Sequence, residues 1–164
     1  MSDIQPIDGA NVRASSYYIA RTSVRCPHCG LPTLLLALAL PPEHETLDPD
    51  EQGSEAWFKS DVNALLFYVG QLPAEVGARL QRLSRFFRFA HSEATHHSYW
   101  ANHCEHCGTL LGDYELHCEP EGAFVPLTEA AAAGIRLLEI AEPFEAAAAG
   151  YTVEPGFFGF VARS

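Results

Sequence analysis

Apolar residues in this chain gather into short runs separated by Pro, Gly and acidic clusters, and most of those runs read as strands. Residues 16–25, rich in Tyr, Ile, Val and Thr, predict a strand. Residues 33–40 are continuously apolar, which fits a strand or a short helix, because periodicity does not arbitrate over so few positions. Pro41-Pro42 ends that element, and residues 62–69 predict a buried strand. Beyond Pro73, which a first helical turn tolerates, Val76, Leu80, Leu83 and Phe87 recur at helical spacing and predict one clear helix. Phe86, Phe87 and Phe89 then turn the preference back toward extended chain. Residues 95–103 and 109–117 predict two further strands, 130–133 a short helix stopped by Gly134, and 135–140 a strand. Residues 43–56, acidic with Pro49 and Gly53, predict a long surface loop. The first dozen residues predict an extended arm, and the apolar 156–160 a tail that packs back onto the body.

Length and composition narrow the class. A chain of 164 residues, 48% of them hydrophobic, can bury a core without disulfides and is about one domain long. Residues 1–11 are polar and lack a basic segment, and the ten-residue apolar run 31–40 is broken by Pro32, so neither predicts a leader or a membrane span. The expected compartment is the cytoplasm, where paired cysteines favour metal or redox chemistry over disulfides. The net charge of −11 argues against general nucleic-acid binding, which needs Lys and Arg to neutralise phosphates. Charge is uneven, however. Residues 43–61 hold seven acids against Lys59 alone, while four of the ten basic residues, Arg79, Arg82, Arg85 and Arg88, crowd one short stretch. Those arginines are either a solvated face or a site for a phosphorylated or acidic partner.

Two segments carry the chemistry: Cys26-Pro27-His28-Cys29-Gly30 and Cys104-Glu105-His106-Cys107-Gly108. Each is a C-x-H-C-G. Two residues between cysteines let a tight turn aim both sulfurs at one point, and the Gly permits the left-handed backbone that closes it. One such knuckle supplies half of a tetrahedral thiolate shell, so two facing knuckles predict a zinc site built from Cys26, Cys29, Cys104 and Cys107. The chain must then fold back across about 75 residues. Zinc is preferred over iron because paired hairpin knuckles suit a closed shell, although iron also accepts four thiolates.

Other chemistry competes for the same residues. Cys26-Pro27-His28-Cys29 is also the tetrad of thiol–disulfide oxidases, whose first Cys caps a helix and becomes a reactive thiolate. That reading leaves the second knuckle unexplained. Six of the eight histidines (His91, His96, His97, His103, His106 and His117) fall within residues 91–117 and could build an open metal site, but no H-x-E or H-E-x-x-H pattern supplies the general base. Asp113, Glu115 and His117 alternate, which would align them on one face of a strand. Cys118, the fifth cysteine, is predicted to be no ligand, because two knuckles already complete the shell.

The stretch Tyr99-Trp100-Ala101-Asn102-His103-Cys104-Glu105-His106-Cys107-Gly108, with Gly112-Asp113, Leu116-His117 and Glu119-Pro120 beyond it, resembles a pattern in uncharacterised bacterial zinc-ribbon-like proteins. The segment from Arg21-Thr22-Ser23 to Cys29 is similar to their N-terminal half. The resemblance implies cysteine ligands at positions 26, 29, 104 and 107, and it brings no activity with it. The expected protein is therefore an α+β domain of predominantly antiparallel strands with one or two short helices. Residues 30–103 would lie between the halves of a split zinc ribbon. Its expected role is a structural zinc-binding module for a protein or an acidic small molecule, with thiol–disulfide exchange at Cys26 and Cys29 as the alternative.

Overall fold

A computed structural model describes residues 9–153, 155, 162 and 163. The outer part of the predicted arm, residues 1–8, and the tail 156–160 lie outside the described residues. In chain order the elements are β1 (Val12–Ala14), β2 (Tyr17–Arg25), β3 (Pro32–Leu40), β4 (Glu45–Pro49), β5 (Glu55–Lys59) and β6 (Ala64–Gln71). They continue with α1 (Ala74–Leu83), β7 (Phe87–Ser92), β8 (His97–His103), β9 (Leu110–Leu111), α2 (Asp113–His117) and α3 (Glu129–Ala133). The last three are β10 (Arg136–Ile140), β11 (Phe144–Val153) and β12 (Ala162–Arg163). Among the described residues nine strands form one sheet in the order β12-β10-β2-β3-β6-β11-β1-β4-β5, and β7-β8-β9 form a second. Neighbours are antiparallel except β10 and β12. An antiparallel α+β fold is what the patterning predicts, with three short helices in place of one or two.

The centre of the large sheet explains the unbroken apolar run at 33–40. Leu35, Ala37 and Ala39 of β3 bury into one core cluster, with Ala20, Ile135 and Leu137. Leu36, Leu38 and Leu40 bury into another on the opposite face, with Ile19, Leu66 and Leu80. A strand covered on both faces loses its polar alternation, so it can be told from a helix only by what surrounds it.

Two expectations need correction, over residues 43–56 and 109–117, while the change from helix to strand falls where it is expected and one strand goes unpredicted. Residues 43–56 are no loop: β4 and β5 pair as a hairpin at the sheet's edge, with Thr46 opposite Phe58 and Leu47 opposite Trp57. Its turn is closed by Asp50 Oδ1, which accepts from the N–H groups of Gln52 and Ser54 at 2.9 Å each. Exposed edge strands carry charge to deter further pairing, and that composition reads as loop. The helix stops at Leu83, where the Ser84 N–H caps the Leu80 carbonyl at 2.9 Å, so Phe87 belongs to β7. Residues 109–117 form only the two-residue β9 before turning into α2. The Asp113-Glu115-His117 face therefore does not exist: Asp113, Leu116 and His117 are buried at helical spacing, and Glu115 is exposed. Finally, β11 is a strand that patterning passes over, because Ala146 to Ala149 offers neither β-branched nor aromatic side chains.

Candidate metal centre

Each knuckle is a hairpin turn between two strands: the first joins β2 to β3, the second β8 to β9. The two are built alike. Cys26 N–H donates to the Leu31 carbonyl and Gly30 N–H to the Cys26 carbonyl, at 2.9 and 2.8 Å. Cys104 N–H donates to Thr109 and Gly108 N–H to Cys104, both at 2.9 Å. Gly30 and Gly108 share φ +76°, a left-handed conformation in which any side chain would be strained. The third residue of each turn gives its N–H to the first sulfur, His28 to Cys26 and His106 to Cys104, at 3.4 Å each.

A single strand edge docks the second knuckle onto the first. β3 pairs with β6 only from Leu38 onward, which leaves the backbone of residues 32–36 open on that side. Asn102 closes it: its Oδ1 accepts from Leu36 N–H and its Nδ2 donates to the Leu36 carbonyl, both at 2.9 Å. Glu105 N–H donates to Thr33 Oγ1 at 3.0 Å, and His106 Nε2 lies 2.9 Å from the Pro32 carbonyl. Asn102, Thr33 and His106 thus fix the register of two segments far apart in sequence.

The result is a cluster of four thiols. Their Sγ atoms all lie within 4.8 Å of one another, with Cys26 and Cys107 at 3.7 Å and Cys29 and Cys104 at 3.6 Å. Sulfurs at the corners of a tetrahedron with metal bonds of about 2.3 Å would stand about 3.8 Å apart. Cys26 and Cys104 are buried in the core, whereas Cys29 and Cys107 close the cluster from outside. The Thr109 hydroxyl, 3.2 Å from Cys107, leads in drawing that thiol down to about 6. The Leu31 backbone favours the Cys29 thiolate, yet burial and the three neighbouring thiols push Cys29 up to about 11. Four thiolates this close repel one another, so they ionise as a set only around a cation. The cluster could hold a metal ion.

The other candidates do not converge on a second centre. Among the described residues the four cysteines are the one group of His, Cys, Asp and Glu with metal-holding geometry. His91, His96 and His97 are exposed, while His103 is buried with Nδ1 3.1 Å from the Phe86 carbonyl. His117 stacks between Phe67 and Phe124. Cys118 ends α2, outside the cluster. Cys26 follows a strand, and no helix N-terminus stands behind it. Arg79 is committed to Glu142 and to the Tyr17 hydroxyl, both at 2.8 Å, and Arg88 lies on β7 rather than on α1. No local pattern predicts the contacts of Asn102 and Thr33, and a polar Asn102 within an aromatic strand is the one sign of them in the sequence. Among the described residues no helix is long and apolar enough to cross a membrane.

No family model, curated protein or solved structure matches the chain.

Proposed function

We propose that Cys26, Cys29, Cys104 and Cys107 hold a structural zinc ion in a split zinc ribbon, and that the protein is a cytoplasmic binding module stapled by it. The carrying observation is the convergence of four sulfurs within 4.8 Å from two turns of identical construction. Four protein thiolates fill a tetrahedral shell, leaving no position for water or substrate, so the ion stabilises and does not catalyse. The resemblance of residues 99–108 to bacterial zinc-ribbon-like proteins points the same way. A net charge of −11 weighs against nucleic acid as the partner.

Elemental analysis and native mass spectrometry of protein prepared in metal-free buffer test this reading. The expected result is one zinc per chain, with the four thiols unreactive until the metal is removed. Metal-free protein with four freely titrating thiols, turning over a disulfide substrate, would replace it with thiol–disulfide exchange at Cys26 and Cys29.

A further inference from the structure

Between the first knuckle and α2 lies a half-open cleft of about 550 Å³, within the range that holds small ligands. Three tyrosines from three elements wall it: Tyr68 of β6, Tyr99 of β8 and Tyr114 of α2. The rings of Tyr68 and Tyr99 meet edge to face at 5.0 Å and an interplanar angle of 90°. Glu115 is the one acid in that wall, which contains no Lys or Arg; His28 is its one imidazole.

The site is built rather than incidental. Tyr68 stands at φ +52°, a left-handed conformation that a side-chain-bearing residue adopts only under constraint. The constraint is visible: Tyr68 N–H donates to Asp113 Oδ2 at 2.7 Å, and the facing strand shifts register between Ala147 and Ala148. Asp113 N–H in turn points to the Tyr99 hydroxyl at 3.3 Å, so one buried carboxylate residue positions two of the rings. Strained backbone collects where a side chain must be aimed. Thr95, also in the wall, keeps its Oγ1 buried behind the surface with no hydrogen-bond partner among the described residues.

The electrostatics select the sign of the ligand. Burial, then the charges of Asp113, Cys118 and Glu115, hold the Tyr68 phenol above its ordinary range, and burial leads in pushing Tyr99 up to about 12. Both phenols therefore stay neutral, and Glu115 gives the wall a negative charge with no Lys or Arg beside it. Ring faces with a nearby carboxylate attract organic cations, and a chain of charge −11 draws them in.

We propose that this cavity binds a small organic cation, an amine or quaternary ammonium compound, with its head against the tyrosine rings and Glu115 as counter-ion. Pro27 and His28 of the first knuckle complete the wall, so the inference rests on the zinc-stapled reading for the cavity's shape.

Calorimetric titration of the zinc-loaded full chain with choline, and with its uncharged isostere 3,3-dimethylbutan-1-ol, tests it. Choline is expected to bind about tenfold more tightly than the alcohol. Glu115→Gln and Tyr114→Leu, both at exposed positions of α2, are each expected to weaken choline about threefold and leave the alcohol unchanged. Equal affinity for the two probes, no binding of choline at millimolar concentration, or variants that bind choline like the parent would overturn the proposal. Zinc measured in the same samples separates the two readings. Loss of choline selectivity at one zinc per chain refutes the cation site alone, whereas selectivity retained without zinc refutes the staple.

Discussion

At the scale of single residues, two cysteines that look alike in sequence have different expected roles. Cys107 lies in the sulfur cluster, and Cys118, eleven residues on, is an exposed cap of α2. Cys118→Ser should leave zinc content and melting temperature unchanged, while Cys107→Ser should lose the metal; elemental analysis with thermal unfolding checks both. Asp113 and His117 form a second instructive pair. Burial raises Asp113 from 3.8 to about 7, so the folded state keeps a proton that the unfolded chain releases, and stability falls as pH climbs from about 4 to 7. Burial lowers His117 from 6.5 to about 3, so the unfolded chain takes up a proton that the folded state refuses, and stability falls as pH drops below 6.5. The two slopes oppose each other over nearly the same window. Asp113→Asn should expose the histidine slope and lose stability more steeply than the parent below pH 6.5. His117→Phe, whose ring can stack on Phe67 and Phe124, should instead lose stability as pH rises from 4 to 7, where the parent stays nearly level. Urea unfolding across this range reads both, as differences of a few kcal/mol from the parent.

At the scale of elements, the docking of β8 against β3 centres on Asn102. Asn102 is 2% exposed and satisfies both backbone groups of Leu36. Asn11 uses the same device on β11, with Nδ2 donating to the Ala148 carbonyl at 2.7 Å and Oδ1 accepting from Ala148 N–H at 2.9 Å. Asn102→Leu would remove two hydrogen bonds and leave a buried donor and acceptor without partners, a loss of about 2–4 kcal/mol. Denaturant unfolding should show it, together with weaker metal retention, because the clamp sets the distance between the knuckles. Asn11→Leu, further from the cluster, should destabilise without loosening the metal.

At the scale of the whole molecule, the proposed zinc joins positions 75 and 81 residues apart, Cys29 to Cys104 and Cys26 to Cys107. Binding to a site that the unfolded chain lacks adds directly to folding free energy. Chelation should therefore lower the melting temperature about as much as Cys107→Ser does, and well beyond Asn102→Leu. Hydrogen exchange should quicken first at the knuckle amides and in β7–β9. The centre of the large sheet, β2-β3-β6, keeps both core faces without the metal and should be the last region to open.

The sequence by itself determined the four cysteines and the glycines that close their turns, because a knuckle is a local object whose spacing and left-handed residue are written within five positions. Strands with aromatic or β-branched side chains were equally legible, as was α1 with its 3.6-residue period. Tertiary structure alone decided the rest. The acidic hairpin β4-β5 is held by strand pairing its own composition conceals, and the alanine strand β11 exists because β6 and β1 lie on either side of it. Helix α2 replaces the expected strand where its i, i+3 and i+4 positions, Asp113, Leu116 and His117, are buried and Tyr68 supplies a partner for Asp113. That partner is 45 residues away, and no local pattern encodes a hydrogen bond across such a distance.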